Sequence, residues 1–349
     1  MSYLLKPLQA GPLTLTNRLV MPPMATAKAD PDGKVNQSIL DYYAEKSEGG
    51  YLSLIIIEHS FITLDGKASD LQLSVSDDRM VEGLKKLAEV IHRNGSKAMM
   101  QINHAGSNTT QEITGTVPVA PSKVSHPRRG SMPNELTREE IANIIRAFQD
   151  AARRTKEAGF DGVEIHSAHG YLLNQFFSPL TNKRTDEYGG NVHNRIRLHL
   201  QIIEAIRAAL GDDFPILLRL GASDFREGGI IIADSQVAAQ EFEQAGVNIL
   251  DISGGFSGYM IPNLSGQGFF APLSEAIKKV VTIPVILTGG ITDVQAAEQL
   301  LTEEKADLIG VGRAILNNSK WPKQAIIKIE EIENARLLSK ASSPADPIR

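Results

Sequence analysis

Short apolar runs rich in Val, Ile and Leu recur along the chain, and each is followed by a stretch with helical spacing. The runs predict β-strands at 18–21, 52–57, 97–102, 162–165, 216–220, 249–252, 285–287 and 308–311. Several are nearly continuous apolar blocks, the pattern of parallel strands buried on both faces. Helix starts are marked between them. Thr137-Arg138-Glu139-Glu140 reads as a capping box that opens a helix over 141–158. Thr292-Asp293-Val294-Gln295 reads the same way before 296–301. Ser76-Asp77-Asp78 precedes a helix over 81–92, which Asn94-Gly95 ends.

Eight strand–helix units are the number a TIM (β/α)8 barrel needs. A doubly wound sheet also alternates strands and helices, but it gives no reason for eight. The chain therefore reads as α/β, a TIM barrel, in one domain over 1–340 with 341–349 as a flexible tail. Three long insertions, 103–136, 167–192 and 254–272, each follow a strand. In a barrel these would form the rim, where βα loops gather and sites are built.

Polar residues collect at the same strand ends. Glu58-His59-Ser60 follows the second strand, and Gln101, Asn103 and His104 end the third. His166 and His169 end the fourth, Arg219 lies in the end of the fifth, and Asp251 and Ser253 end the sixth. The last two strands differ: they end in Thr288-Gly289-Gly290 and Gly310-Val311-Gly312-Arg313. Glycine lets backbone N–H groups approach an anion, a following helix start favours negative charge, and Arg313 would add a charge-assisted pair. The pattern fits a phosphate site; tight turns beside a surface arginine are the plainer alternative. No GxGxxG joins a strand to a helix and no GxxxxGK[ST] is present, so a ligand with one phosphate fits better than a fused dinucleotide domain.

Composition narrows the function classes. The 349 residues carry a formal net charge of −5, which argues against a nucleic-acid or anionic-membrane surface. There is no cysteine. Disulfides, thiolate metal sites, cysteine-held clusters and a cysteine nucleophile are excluded. Lys6, Pro7, Gly11 and Pro12 interrupt any signal-peptide core, and no apolar run approaches bilayer length. A cytoplasmic enzyme is expected.

Three segments together resemble the old yellow enzyme family of FMN-dependent ene-reductases. They are Asn17-Arg18-Leu19-Val20-Met21-Pro22-Pro23-Met24, Gln101-Ile102-Asn103-His104-Ala105-Gly106, and Gly162 through Tyr171 continuing over Ser178-Pro179-Leu180-Thr181-Asn182-Lys183-Arg184 to Gly190. The resemblance runs from Leu5 to about Trp321 and implies FMN across the C-terminal mouth of the barrel, with NADH or NADPH as hydride donor. By position Pro23, Met24 and Ala25 would pass beside the flavin, and Gln101 would bond its pyrimidine edge. Arg219 would lie near N1 and O2, and Gly289, Gly290, Gly312 and Arg313 would take the phosphate. His166 and His169 would bind the oxygen of an activated alkene, and Tyr171 would protonate the α-carbon.

Other readings stay open for single residues. His166-x-x-His169 is a possible zinc pair, but the motif offers no third ligand, and no metal is expected. Arg219 is equally a barrel ion-pair residue, and Tyr171 a packing residue. His104, Glu58 and His59 are undecided. Three positions depart from the family. Ala25 replaces a threonine or cysteine that would tune the flavin, and Thr26 would point elsewhere along an extended segment. Ser107 stands where arginine is common. His59 occupies a position that is small in many members, where it turns away or narrows the pocket.

The resemblance extends to the barrels of larger dienoyl-CoA reductases and trimethylamine dehydrogenases. Those add an iron–sulfur cluster and a second nucleotide domain, both expected to be absent here. The leading expectation is an NAD(P)H-dependent ene-reductase acting on α,β-unsaturated carbonyl or nitro compounds. Its rivals are a flavin enzyme that oxidises an amine or saturated carbonyl compound and a flavin-free phosphate-binding lyase or isomerase. The family implies a homo-oligomer, dimer or tetramer, acting on small molecules.

Overall fold

The computed structural model describes residues 2–341; of the tail expected over 341–349, residues 342–349 lie outside them. The eight expected strands form at the expected places: β1 Leu19–Met21, β2 Leu54–Phe61, β3 Lys97–Asn103, β4 Gly162–Ser167, β5 Ile216–Gly221, β6 Ile249–Ser253, β7 Val285–Thr288 and β8 Leu308–Gly310. All pair in parallel with their sequence neighbours, and β8 pairs with β1 to close the barrel. The main helices are α1 Gln37–Ser47, α2 Val81–Arg93, α3 Arg138–Glu157, α4 Arg197–Leu210, α5 Ile232–Gln244, α6 Ala271–Lys278, α7 Val294–Thr302 and α8 Trp321–Ala341.

Alternation along the strands divides the core in two. Side chains such as Ile55, Ile57, Met100, Val163 and Leu218 pack outward under the helices, in one continuous buried layer. Val20, Leu54, Ile56, Met99, Leu217, Ile249, Ile286 and Leu308 fill the lumen. A hairpin not foreseen from the sequence joins this inner cluster. Leu8–Ala10 pairs antiparallel with Leu13–Leu15, and Leu8, Ala10, Leu13 and Leu15 are packed with the lumen residues. Its strands are three residues long, too short for a period-2 signal to register. The hairpin plugs the N-terminal end of the barrel with apolar side chains. Toward the other end the lumen turns polar.

Helix starts follow local capping chemistry. The Thr137–Glu140 capping box forms in both directions. One expectation is corrected: α7 is capped by Asp293, whose carboxylate accepts from Ala296 N–H, and not by Thr292. The Thr292 hydroxyl instead accepts from Gln267 Nε2 and its N–H donates to Gln267 Oε1, both at 2.8 Å, so a contact distant in sequence has taken that residue out of the cap.

Two buried side chains knit the rim insertions together. Arg184 donates to the Pro121 and Leu136 carbonyls at 3.0 and 2.7 Å and pairs with Asp186 at 2.6 Å. Asp224, fully buried, accepts from Ser178 Oγ at 2.6 Å and from the Ile230 and Phe256 N–H groups, both at 2.8 Å. The loops after β4, β5 and β6 are therefore fixed to one carboxylate.

Close approach at the base of β4 demands a residue without a side chain. A Cβ on Gly162 would lie 2.4 Å from the Pro215 carbonyl oxygen and 2.7 Å from Met99 Sδ. Backbone cannot move aside cheaply there. Gly162→Ala is expected to destabilise the barrel by about 1–3 kcal/mol. Thermal unfolding checks this, and an unchanged Tm would contradict it.

Candidate active site

The site begins where β4 ends. His169 has φ of 61° and Gly170 φ of 74°. Two successive left-handed residues reverse the chain, and a non-glycine in that conformation costs on the order of 1–2 kcal/mol. Buried amides on the short helix Leu172–Phe177 hold the turn. Gly170 N–H donates to Asn174 Oδ1 at 2.7 Å, and Gln175 Nε2 donates to the Gly170 and Ala105 carbonyls at 2.8 and 3.1 Å. A Cβ at Gly170 would stand 2.8 Å from His126 Nε2, so glycine is required there twice over. Asn174 and Gln175 were missed in the sequence. The available signal was two polar side chains inside an otherwise apolar short helix.

The turn brings three expected residues together. The His166 ring centroid lies 5.1 Å from His169 and 5.0 Å from Tyr171. His169 Nε2 meets Ser253 Oγ of β6 at 2.8 Å, which fixes that ring. A fourth ring joins them: His59 is 5.3 Å from Tyr171 and 6.3 Å from His166. His59 therefore faces the pocket and narrows it. His104 is placed elsewhere. It is buried, its Nδ1 accepts from Gly106 N–H at 3.0 Å, and its Nε2 lies 3.7 Å from Asp65.

Burial and positive charge set the protonation states. Burial, then His169, Arg219 and His59, holds His166 well below the ordinary imidazole value. Burial, then Arg219, Arg128 and His59, does the same to His169. Burial and Arg219 bring His59 down to about 4. All three rings are neutral at pH 7, so each can carry one N–H donor. Burial raises Tyr171 above the usual phenol value, which keeps its proton in place. The groups that act on His166, His169 and Tyr171 are Arg219, Arg128, Arg129, other histidines and, for Tyr171, Tyr259, with no carboxylate among them.

Beneath this cluster the polar part of the lumen holds Gln101, Glu164, Arg219 and Asp251. In the strand register Arg219 of β5 lies between His166 of β4 and Asp251 of β6. Its Nε is 3.3 Å from Asp251 Oδ2, yet makes no hydrogen bond. Gln101 Nε2 donates to Glu164 Oε2 at 2.6 Å, which leaves the amide oxygen as an acceptor. Burial pushes Glu164 well above the carboxylate range, aided by Asp251, and lifts Asp251 to about 6 against the pull of Arg219.

The remaining expected residues line the rim on the β1, β7 and β8 side. Pro23 and Met24 are half-buried and Ala25 is exposed. Thr26 turns away: its N–H and hydroxyl donate to the two Glu58 carboxylate oxygens at 3.0 and 2.6 Å. Gly312 packs on this segment, since a Cβ there would be 3.2 Å from Met24 Sδ. Gly290 has φ of 69°, and a Cβ on it would meet the Gly266 carbonyl at 2.2 Å. Gly289 accepts from Gly268 N–H at 2.7 Å. Arg313 is exposed at the start of the Arg313–Asn317 turn of helix. No group of three or more His, Asp or Glu is placed to hold a metal ion among the described residues.

A closed (β/α)8 barrel with donors, a buried guanidinium and glycine turns on its C-terminal rim defines an enzyme of the TIM-barrel class. Residues 3–331 match the NADH:flavin oxidoreductase / NADH oxidase family, and the chain belongs to it. It is 46% identical over 321 residues to an NADH oxidase of Thermoanaerobacter brockii, covering 90% of this chain and 49% of that protein. It is 40% identical over 306 residues to an NADPH dehydrogenase of Clostridium acetobutylicum, covering 88% and 89%. The structure of an old yellow enzyme homologue from Zymomonas mobilis superposes with a TM-score of 0.81 at 28% identity, over 99% of this chain and 95% of that one. The chain spans about half the length of the first curated relatives it matches.

The residues present fit FMN. Arg219 Nε is buried without a hydrogen-bond partner, and Thr288 Oγ1 likewise. The Gln101 oxygen is an open acceptor, and Arg313 has no ion-pair partner among the described residues.

The strap at 23–26 is held by a carboxylate that titrates near neutrality. Burial lifts Glu58 to about 7 against the two Thr26 hydrogen bonds. Tyr42 and Tyr43 are the other titratable groups it acts on, and the Glu58 N–H donates to the Tyr43 hydroxyl at 2.8 Å. Protonation below pH 7 removes one of the acceptors that hold Thr26. FMN affinity of the apoprotein is therefore expected to fall severalfold as pH drops through about 7. Fluorescence titration in wild type and Glu58→Gln checks this: a pH dependence that persists in the variant would exclude Glu58 as its source.

Proposed function

We propose that the protein uses NADH or NADPH to reduce the C=C bond of α,β-unsaturated carbonyl or nitro compounds. One observation carries this reading. Neutral His166 and His169 present donors beside the Tyr171 phenol, and the arginines Arg219, Arg128 and Arg129 are the charges that act on these groups. Such a field stabilises an oxyanion developing on the substrate. It disfavours an ammonium, which speaks against amine oxidation. Glycine turns and a buried arginine at one rim, without a lysine or carboxylate placed as a base beside the histidines, speak against a flavin-free lyase.

Gly289, Gly290, Gly312 and Arg313 would hold the FMN phosphate, Pro23, Met24 and Ala25 would flank the ring, and Gln101 and Arg219 would meet its pyrimidine edge. FMN held there would supply the hydride chemistry that links the nicotinamide to the β-carbon of the alkene. His166 and His169 donate to the substrate oxygen as negative charge builds on it. Tyr171 gives its proton to the α-carbon and recovers it from solvent. The products are the saturated compound and NAD(P)+. Placement in the cytoplasm and a homo-oligomeric state go with this reading. No described helix is long and apolar enough to cross a membrane.

Anaerobic stopped-flow tests the proposal. Pre-reduced enzyme is expected to be reoxidised by 2-cyclohexenone or a nitroalkene. Inertness toward a broad panel of both, with reduction by amines instead, would overturn it. In Tyr171→Phe the oxidative half-reaction with enones is expected to slow about 10²–10⁴-fold while NAD(P)H still reduces the flavin. Equal slowing of both halves would remove Tyr171 from the proton-donor role. Ala25→Thr or Ala25→Cys restores a hydrogen-bonding side chain beside the ring and is expected to shift the flavin midpoint potential. An unmoved potential would separate Ala25 from flavin tuning.

A further inference from the structure

His59 owes its position to an irregularity in β2. Ile56 lines the lumen and Ile57 faces the helices. Strict alternation would send His59 the same way as Ile57. The pairing with β3 shifts, however: Ile57 pairs with Met100, and Ser60 already pairs with Ile102. Three steps on β2 match two on β3, so one extra residue sits at Glu58-His59. A β-bulge of this kind bends the strand and re-aims side chains. Here it sends Glu58 to the Thr26 strap and His59 to the catalytic rings. His59 is the one residue of β2 that is not fully buried.

Its protonation pattern is fixed by one amide. Gln72 Oε1 accepts from Ala68 N–H at 2.7 Å, which identifies the other end of that amide as NH₂. Gln72 Nε2 then donates to His59 Nδ1 at 2.7 Å and to the His59 carbonyl at 3.0 Å. Asn103 Nδ2 approaches the same ring nitrogen at 3.5 Å. Nδ1 is therefore an acceptor, and a neutral imidazole with Nδ1 as acceptor carries its hydrogen on Nε2. Among the described residues no group pairs with Nε2. The charged and titratable groups around the ring are Arg219, His166, His169 and Tyr171, and none of them hydrogen-bonds to Nε2.

We propose that His59 is a third substrate-binding donor, and that the pocket selects activated alkenes with an acceptor at each end of the double bond. Enediones, maleimides and unsaturated diesters are of this class. This rests on the function proposed above. The spacing supports it. His166 and His169 are neighbours at 5.1 Å and can share one oxygen, whereas His59 is 6.3 Å from His166 and lies against Tyr171 instead. A single carbonyl held by the histidine pair leaves the His59 N–H unpaired; a second carbonyl across the alkene satisfies it. Leaving such a donor unmatched is what makes a polar pocket selective.

The test compares matched one- and two-acceptor compounds in the holoenzyme. N-Methylmaleimide and 2-cyclohexenone serve for turnover, and the absence of cysteine from the chain removes thiol alkylation as a complication. His59→Ala is expected to lower the kcat/KM ratio of maleimide over cyclohexenone about tenfold, mainly through KM. His59→Gln, which keeps an N–H donor, is expected to recover most of that ratio. Parallel loss for both substrates, or no recovery in the glutamine variant, would reduce His59 to a packing role. A second arm needs no turnover. Phenol and 4-hydroxybenzaldehyde are titrated onto the oxidised enzyme by absorbance, and the preference for the aldehyde is expected to fall about tenfold in His59→Ala. An unchanged preference would overturn the proposal. If the wild type reduces neither alkene, the ene-reductase reading fails, and this arm still decides whether His59 is a donor to the bound ligand.

Discussion

A guanidinium buried in the lumen of the barrel is the constraint to which the rest of the site is fitted. Arg219 is 4% exposed and sits where the lumen changes from apolar to polar. A charge removed from water needs compensation. Asp251 supplies it from the next strand, and Glu164 lies close enough to compete for the same charge. The same positive charge disfavours protonation of His59, His166 and His169. One residue thus reinforces the neutral state that burial imposes on the donors above it, while keeping a hydrogen-bonding atom unfilled for a ligand. The parallel register makes this possible, because it places β4, β5 and β6 side chains at a common height.

Much of this was legible in the sequence. Eight apolar blocks gave the strand count, and their ends gave the rim. The His166-x-x-His169-x-Tyr171 spacing placed three groups on one turn. What the spacing could not show was register. The bulge in β2 is an offset between two strands, and nothing in Glu58-His59-Ser60 announces it. His59 therefore stayed undecided until β3 was paired beside it. The cap of α7 shifted by one residue for a similar reason, as Gln267, distant in sequence, took the Thr292 hydroxyl and N–H. The Asp224 junction and the Gln72 lock are also long-range contacts, which local pattern does not encode.

Rim geometry depends on a few buried polar side chains more than on loop composition. Asp224 joins three insertions, Arg184 joins two, and Asn174 with Gln175 hold the left-handed turn. Each sits where backbone N–H and carbonyl groups would otherwise lie buried without partners. A site on long loops gains the rigidity of a strand by this means, and the strained φ of His169 is tolerated because its neighbours fix it on both sides.

The hairpin at the base of the barrel has one further consequence. Its leucines close the end of the lumen, so the polar chamber opens in only one direction. Under the function proposed, the nicotinamide and the alkene share that doorway and must use it in turn. Traffic, rather than bond-making alone, then becomes part of the cycle: a spent nicotinamide that lingers blocks the alkene as effectively as any inhibitor. Release of the spent nicotinamide through that mouth thereby sets a ceiling on how fast the chemistry beneath it can be used.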